Sequence, residues 1–326
     1  MKQKKPLSLP GFIRHNKNAI VRFGSLILVM VIFAIVTKGS IFSAYNLRSL
    51  VGQTCALLII SVGMIFMFSH GAVDISSGAV AGLCSLVITF VLEGTGSMPL
   101  AILFSVVVSV ALYLFCWFVT VRFGLLSTIS SLAVMFVARG LVIYILSGQS
   151  GRINISFYDL ISPFKNSLPL QLIIIVVVTV VCLVLFNYTA LGKYSKAIGD
   201  NPVSSQQSGA NLNRVKFWCY LIAGVCVGIA SVFILARAGN VSRNIGAGME
   251  MNVMVAVILG GMNLSGGAKS RISSAIVGAI TYSLLSNGLT IAGVSQGLIV
   301  LVKGIIFIVI IAMTLRQSKT ITEMPR

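Results

Sequence analysis

The sequence predicts an all-α, polytopic membrane protein with about ten transmembrane helices. Of its 326 residues, 57% are hydrophobic and only 9% are charged, whereas a soluble domain needs roughly 25% charged residues to cover its surface. Its apolar runs repeatedly approach the roughly 20 residues that an α-helix needs to cross the hydrocarbon core. Both observations indicate that a lipid bilayer surrounds most of this chain.

Ten apolar runs, separated by polar or glycine-rich gaps, define the predicted spans. They are 20–37, 48–69, 74–93, 98–120, 126–147, 169–188, 215–237, 250–262, 271–289 and 295–315. The eighth run is short, and the gaps at 70–74 and 263–270 are tight. We therefore expect broken or re-entrant helices there, which membranes tolerate where protein or a water-filled cavity satisfies the backbone.

The distribution of basic residues predicts the orientation, because cytoplasmic loops are enriched in Lys and Arg. With the N-terminus inside, 16 of the 24 Lys and Arg residues fall on the cytoplasmic side and seven on the outer side, while Lys303 lies within the tenth span. We expect both termini in the cytoplasm. Residues 1–19 and 316–326 then form cytoplasmic tails, and 20–315 form a single transmembrane domain.

Several other function classes are disfavoured by the sequence. The net charge of +18 sits in short gaps between apolar runs, which suits membrane lipid better than a nucleic-acid partner. The six cysteines form no CxxC pair, so we expect no metal and no cofactor. Gly266–Ser270 lacks the spacing of a phosphate-binding loop. Without a soluble domain large enough for catalysis, the chain is predicted not to be an enzyme.

The longest predicted cytoplasmic segment, 189–214, contains the signals of a short helix. Asn201 and Pro202 can open this helix, and Gly209 can close it. A short rigid helix at the membrane surface suits docking into a groove of another protein. The alternative is an ordinary solvated loop.

This segment resembles the A-x-G-x-N-x-x-A-A-x-x-x-G-I motif of the ribose-type sugar permeases of bacterial ABC importers. Further matches to motifs of that family follow in order along nearly the whole chain. They are Gly71, Asp74, Ser76, Gly78, Arg139-Gly140, Glu250, Val255-Ala256, Gly260-Gly261, Ser265-Gly266-Gly267, Asn287-Gly288-Leu289 and Lys303-Gly304. Each motif is weak alone, and their order and spacing together carry the resemblance.

The resemblance implies a permease subunit of the bacterial inner membrane that imports a ribose- or allose-like monosaccharide by alternating access. It implies three partners: a separate ATP-binding ABC subunit, an extracytoplasmic sugar-binding protein and a second permease copy. The residues implied to couple to the ATPase are Gly199, Asn201, Ser204, Ser205 and Gly209.

The chain departs from the family's coupling motif at two places. Ser204-Ser205 replaces its Ala-Ala pair, and Ala210 replaces its final Ile. Both replacements leave open which ATPase fits and which sugar passes.

Charged residues near or within the spans are candidates for the translocation pathway or its gating, because ionisable groups in membranes are costly. Asp74 either caps the third span through the N–H groups of the following serines or acts in gating. Glu250 either caps the eighth span or pairs with Arg139 or Lys303. We predict that at least one of these two basic residues has a carboxylate partner or several carbonyl partners.

Neutral polar residues in the spans are candidates for a sugar pathway, because a sugar has many hydroxyls and no net charge. The candidates on composition are Gln53, Thr54, Ser61, Ser283, Ser286 and Asn287. Each is equally suited to an interhelical hydrogen bond.

A weak internal repeat and an alternative function complete the sequence-based hypotheses. Residues 71–79 match 260–268 at four of nine positions, and duplicated halves with broken helices are common in transporters. The alternative function is an ion-gradient-driven secondary transporter that uses Asp74 or Glu250 as its proton site. The sequence disfavours it, because it contains no mid-membrane acid pair or histidine relay, and His70 is isolated.

Overall fold

The computed structural model describes residues 17–148, 151–263, 266–306 and 308. Its regular secondary structure in these ranges is helical except for one short strand pair. Its helices in chain order are α1 (Lys17–Val36), α2 (Ala44–Ser69), α3 (Ser77–Thr95), α4 (Met98–Phe123), α5 (Ser127–Ser147), α6 (Tyr158–Asn166), α7 (Leu168–Tyr188), α8 (Ala190–Asp200), α9 (Pro202–Gln207), α10 (Leu212–Ala238), α11 (Met249–Leu259), α12 (Ile272–Ile291) and α13 (Gln296–Ile306). A single 3₁₀ turn, Ser40–Phe42, precedes α2. The strands β1 (Arg152–Asn154) and β2 (Asn240–Ser242) pair antiparallel.

Seven helices of the described chain are long and apolar enough to cross a bilayer: α2, α3, α4, α5, α7, α10 and α12. The sequence located them within a few residues; the predicted span 98–120, for example, is Met98–Phe123. Shorter apolar stretches, Phe23–Val36 of α1, α11 and α13, correspond to the first, eighth and tenth predicted spans. The all-α polytopic membrane fold is confirmed.

The eighth predicted span, 250–262, is helical over only part of the thickness of a bilayer. Its helix, α11, has only 11 residues, which corresponds to about 16 Å, or roughly half of the hydrocarbon thickness. Before α11 the chain is irregular from residue 243 to residue 248. This is the broken helix that the short eighth run led us to expect.

The centre of the bundle is built where small residues let helices approach closely. Ser109 donates a hydrogen bond to the Gly224 carbonyl at 2.7 Å, and Ser105 donates to the Gly228 carbonyl at 2.9 Å. A Cβ at Gly228 would lie 2.7 Å from the Cα atom of Val106, so only glycine fits there. Small residues and side-chain to backbone hydrogen bonds thus hold α4 antiparallel to α10, as is common between membrane helices.

Helices α8 and α9 lie at one end of the bundle, together with the C-terminus of α2 and the glycine-rich segment that follows α11. Basic residues in or beside these elements, and at the neighbouring ends of α4 and α10, are Arg122, Lys193, Lys196, Arg214, Lys216, Lys269 and Arg271. All seven belong to the group that the sequence assigns to the cytoplasm. We call this part of the molecule the α8–α9 end.

The helix ends before the two repeat segments have the same geometry. Gly71 has φ 81° and Gly261 has φ 80°, and the residue after each donates its N–H to the carbonyl five positions back, at 3.1 and 3.2 Å. This is a Schellman-type helix end. The geometry aligns Gly71 with Gly261, whereas the comparison of 71–79 with 260–268 aligned it with Gly260. The predicted register is therefore wrong by one residue at this point.

Candidate functional site

The short helix predicted in segment 189–214 is present as α9, Pro202–Gln207, between the predicted opening at Asn201-Pro202 and the predicted end at Gly209. The Asn201 side chain caps it by accepting the Ser204 N–H at 3.1 Å. After it, Gly209 adopts φ 86°, a conformation that glycine reaches without strain.

A groove of about 300 Å³ separates α8 from α9. Its lining residues are Tyr194, Ala197, Asp200, Asn201, Ser204, Ser205, Ser208 and Ala210. Beside it Val203 is 65% exposed. Three of the five predicted coupling residues, Asn201, Ser204 and Ser205, thus line one concave surface.

Gly199 has a different position from the other predicted coupling residues. A Cβ at Gly199 would lie 2.1 Å from the Ser69 carbonyl oxygen and 2.5 Å from the Gly267 nitrogen. The Gly267 N–H donates to that same Ser69 oxygen at 2.9 Å, and the Ala268 N–H donates to the Asp200 carboxylate at 3.0 Å. Gly199 is therefore a packing residue that brings α8 into backbone contact with the end of α2. We call this contact the backbone junction.

A second polar region lies where the irregular segment 243–248 enters α11. Gly246 has φ 70°, and a Cβ there would lie 2.2 Å from the Gly78 carbonyl oxygen. A Cβ at Gly82, one helical turn further along α3, would lie 2.6 Å from the Ile245 carbonyl oxygen. Glycines on α3 therefore allow the unwound segment to pack directly against the helix backbone.

Arg139 supports this unwound segment from α5. Its guanidinium donates to the Ile245 carbonyl at 2.8 Å, which satisfies an acceptor that no helix provides for. Lys303 lies 4.8 Å from the centre of the Tyr282 ring, in cation–π contact. Within the described chain, Arg139 thus has one carbonyl partner and Lys303 has an aromatic ring, so the predicted carboxylate or set of carbonyl partners is not found there.

Glu250 stands in the first turn of α11. One carboxylate oxygen accepts the Gly248 N–H at 3.2 Å, as the capping hypothesis expects. The other oxygen, Oε2, is buried without a hydrogen-bond partner in the part of the chain that the structure describes, and it lies against Gly78. Among the described residues, neither Arg139 nor Lys303 pairs with it, so the structure favours the capping alternative over the ion pair.

Asp74 is 2% exposed and caps α3. One carboxylate oxygen accepts the Ser76 N–H at 3.2 Å and the Ser76 hydroxyl at 2.6 Å; the other accepts the Ser77 N–H at 2.9 Å. The Tyr113 hydroxyl adds a further bond at 3.0 Å from α4. The capping interpretation is confirmed, and Tyr113 is a partner that sequence reasoning missed.

The neutral candidates divide into bonded and unpartnered groups. Gln53 donates to Ser49 at 3.3 Å, and Thr54 donates to the Leu50 carbonyl of its own helix at 2.8 Å. By contrast, Asn287 is 4% exposed and its Oδ1 has no hydrogen-bond partner within the described ranges. The Ser61 hydroxyl is also buried without one.

The sequence reasoning missed one further polar pair in the membrane. The Tyr282 hydroxyl of α12 donates to Asn252 Oδ1 of α11. The signal was present, because both are polar residues inside predicted apolar spans, and Asn252 follows Glu250 by two positions.

Metal binding and proton relay depend on clustered or titratable His, Cys, Asp and Glu side chains. No cluster of three His, Cys, Asp or Glu residues occurs among the described residues. His70, just after α2, has its Nδ1 2.9 Å from the Phe66 carbonyl oxygen. Burial lowers the pKa of His70 to about 4, so this imidazole is neutral near pH 7.

Comparison with known proteins now identifies the family. Residues 46–311 match the family described as "Branched-chain amino acid transport system / permease component". The chain belongs to this permease family. No solved structure matches it.

The curated relatives include import permeases for sugars. The ribose import permease protein RbsC of Escherichia coli K12 is 28% identical over 293 residues, which cover 87% of this chain and 90% of the relative. RbsC of Bacillus subtilis is 28% identical over 295 residues, with 90% and 91% covered. The fructose import permease protein FrcC of Rhizobium meliloti is 25% identical over 317 residues, with 91% and 85% covered.

Family membership and the apolar helices together make this chain a multi-pass protein of the bacterial inner membrane. It is a transport subunit and not itself a catalyst. The relatives support an ABC import permease and not the ion-gradient-driven alternative.

Proposed function

We propose that this chain is the transmembrane subunit of an ATP-driven importer for a monosaccharide such as ribose or allose. The observation that carries the proposal is the similarity to ribose import permeases over nearly nine-tenths of the chain. Its partners are an ATP-binding subunit, where ATP is hydrolysed, an extracytoplasmic sugar-binding protein and a second copy of this permease.

The ATP-binding subunit docks at the α8–α9 groove. The groove is concave, the exposed Val203 lies beside it, and α9 is a capped, well-defined helix. The backbone junction at Gly199 then connects docking to the end of α2. The cytoplasmic coupling segment accordingly spans 189–214.

The sugar pathway runs along the broken helix α11. A neutral polyol is best recognised by amide and hydroxyl groups, and Asn252, Tyr282, Gln53 and Asn287 supply such groups on α2, α11 and α12. Glu250 and Asp74 set the ends of α11 and α3, and Arg139 holds the unwound backbone before α11. Gating by these residues then follows from movement of the helices they hold.

The energy source tests this proposal most directly. Uptake of radiolabelled ribose is measured in cells that express the chain with its ATP-binding and sugar-binding partners. Uptake should persist when an uncoupler collapses the proton gradient and ATP is maintained. It should stop when ATP is depleted and the gradient is kept; the reverse pattern would establish a secondary transporter.

The substrate class is tested by competition. The family description names branched-chain amino acids, whereas the relatives are named for sugars. A tenfold excess of unlabelled ribose, allose or fructose should reduce uptake, and leucine should not. Transport of radiolabelled leucine without transport of radiolabelled ribose would overturn the monosaccharide assignment.

The complete topology is ten spans with both termini in the cytoplasm. Green fluorescent protein fused after residue 326 should fluoresce, because it folds in the cytoplasm, and alkaline phosphatase at the same position should be inactive. Active phosphatase would place the C-terminus outside and change the number of spans to an odd one.

A further inference from the structure

A second cleft at the α8–α9 end, distinct from the docking groove, takes no part in the function described above. Its volume is about 440 Å³, and its lining residues are Leu183, Asn187, Lys196, Ala268, Ser270, Arg271, Ile272, Ser273 and Ile276. They come from the last turns of α7, from α8, and from the loop and first turns that begin α12. We call it the basic cleft.

The basic cleft brings two cations together without an acid in its lining. Burial lowers the pKa of Lys196, and repulsion from the neighbouring Arg271 guanidinium lowers it further. Lys196 is held over the Phe186 ring, with its Nζ 4.4 Å from the ring centre. The Asp200 carboxylate, which accepts the Ala268 N–H, lines the neighbouring docking groove instead. An anion between the two cations would relieve their repulsion.

Two further features of the basic cleft point to an anion. The 20-residue helix α12 begins at its wall, and the N-terminus of a helix attracts negative charge through its free N–H groups and its dipole. Independently, Ser270 lines the cleft at 1% exposure, and its hydroxyl has no hydrogen-bond partner among the described residues. A buried unpartnered hydroxyl costs free energy, which a bound oxyanion would offset by accepting its hydrogen bond.

The position of the cleft distinguishes a lipid from a free anion. Leu183 and Ile276 form an apolar wall continuous with the membrane-spanning parts of α7 and α12. Only 11% of the most apolar stretch of α7 is buried inside the protein, so the outer face of this helix meets lipid. The cations and the orphan hydroxyl thus lie at the level where hydrocarbon gives way to headgroups, with room for an acyl chain alongside.

We propose that the basic cleft binds the phosphodiester headgroup of an anionic phospholipid between Lys196, Arg271 and the start of α12, with an acyl chain along Leu183 and Ile276. Basic pockets between transmembrane helices on the cytoplasmic side suit this ligand class. Because Ala268 adjoins the backbone junction, the lipid also stabilises the elements on which the docking helix rests.

The test measures binding of palmitoyl-oleoyl phosphatidylglycerol to the full-length chain in detergent by native mass spectrometry. The variant Lys196→Gln/Arg271→Gln removes both cleft cations. The matched control Lys193→Gln/Lys269→Gln removes two cations of the same end that do not line the cleft. We expect roughly 30-fold weaker binding in the cleft variant, at about one factor of five per cation, and wild-type binding in the control. Equal weakening in both variants would overturn the proposal, because it would indicate unspecific surface attraction.

A second experiment distinguishes a lipid ligand from a free anion, and a third variant is used if the double variant does not fold. Phosphatidylglycerol should raise the melting temperature of the wild type, and millimolar inorganic phosphate should not; equal stabilisation by phosphate would overturn the lipid assignment. If the double variant does not fold, Ser270→Ala decides. It should melt no lower than the wild type in phosphatidylcholine and bind phosphatidylglycerol roughly fivefold more weakly, and unchanged binding would contradict the proposal.

Discussion

Two glycine-ended turns of this permease begin alike and continue differently. The first turn, 70–76, joins α2 to α3, and the second, 260–271, joins α11 to α12. The first is anchored inside the bundle: Val73 and Ile75 donate their N–H groups to serines of α5, and Asp74 bonds to Tyr113 of α4. The described part of the second reaches out of the bundle, through Gly267 to Ser69 and through Ala268 to Asp200.

The difference shows how one helix ending can serve two purposes. In the first turn the Asp74 carboxylate accepts hydrogen bonds from the turn itself, from α3 and from α4, and so fixes the start of a membrane helix. In the second, glycine supplies backbone donors to other segments, because the absence of a side chain permits the approach. Substitutions in the first turn should therefore lower the stability of the fold. Substitutions beside the second turn should instead reduce the proposed coupling of ATP hydrolysis to sugar uptake.

The largest effect is expected for Asp74→Ala. It removes the α3 cap and leaves the Tyr113 hydroxyl and two serine N–H groups without their acceptor. The expected loss of unfolding free energy is on the order of 3 kcal/mol. Thermal unfolding of the purified protein in detergent measures it.

Asp74→Asn is the matched control, because it keeps one acceptor oxygen and should lose less than half as much stability. If Asp74→Ala melted at the wild-type temperature, the first turn would not be the fixed element that its contacts suggest.

Gly199→Ala should have the next largest effect. Its Cβ would lie 2.1 Å from the Ser69 carbonyl oxygen, so backbone segments must separate. We expect about 2 kcal/mol of destabilisation, as for other overpacked sites, and loss of most sugar uptake at wild-type levels of membrane insertion. Uptake assays alongside thermal unfolding check this, and full uptake would show that the backbone junction plays no part in coupling.

Gly209→Ala provides the contrast within the same segment, 189–214. Gly209 also needs a left-handed conformation, with φ 86°, but a Cβ there meets nothing within 4 Å. The cost should be only about 1 kcal/mol of backbone strain, and uptake should stay above half of the wild-type rate. A melting temperature below that of Gly199→Ala would reverse the proposed ranking.

The smallest effect on stability is expected for Val203→Gln. Val203 is exposed on α9, so the melting temperature should not change. Burial of a valine at an interface contributes about 1.5 kcal/mol, and the affinity for the ATP-binding subunit should fall roughly tenfold. Binding measured by co-purification titration tests this; Lys269→Gln, exposed at the same end but outside the groove, should bind as the wild type does.

The sequence predicted those features that depend on neighbouring residues. Hydropathy placed α4 and α5 within a few residues, because span length is set by bilayer thickness. The ends of α9 followed from Asn201 and Gly209, because capping is a local interaction. The Asp74 cap was predictable for the same reason.

Features formed between distant segments were not predictable in this way. Arg139 and its acceptor, Ile245, are 106 residues apart, and the motif gave no indication that the partner would be a carbonyl of unwound backbone. Gly199 and Gly209 look equivalent in the coupling motif, yet only Gly199 touches another element.

The spacing of small residues in the sequence does indicate one long-range contact. Ser105 and Ser109 on α4 repeat at a spacing of four residues, as do Gly224 and Gly228 on α10. Such spacing of small residues is typical of close helix pairs in membranes. It would have suggested the antiparallel contact between these helices.

The backbone junction has a mechanical consequence. Side chains between two moving elements can change rotamer and absorb part of a displacement, but Gly199, Ser69 and Gly267 meet through main-chain atoms. If α8 is displaced, as the proposed coupling requires, the displacement would therefore reach α2 with little loss. Because α2 has 26 residues and is about 39 Å long, a small shift of its inner end becomes a tilt along its full length. Because Gly199 has no side chain, the contact between α8 and α2 is direct and stiff. The length of α2 would enlarge the movement at the far end of this helix.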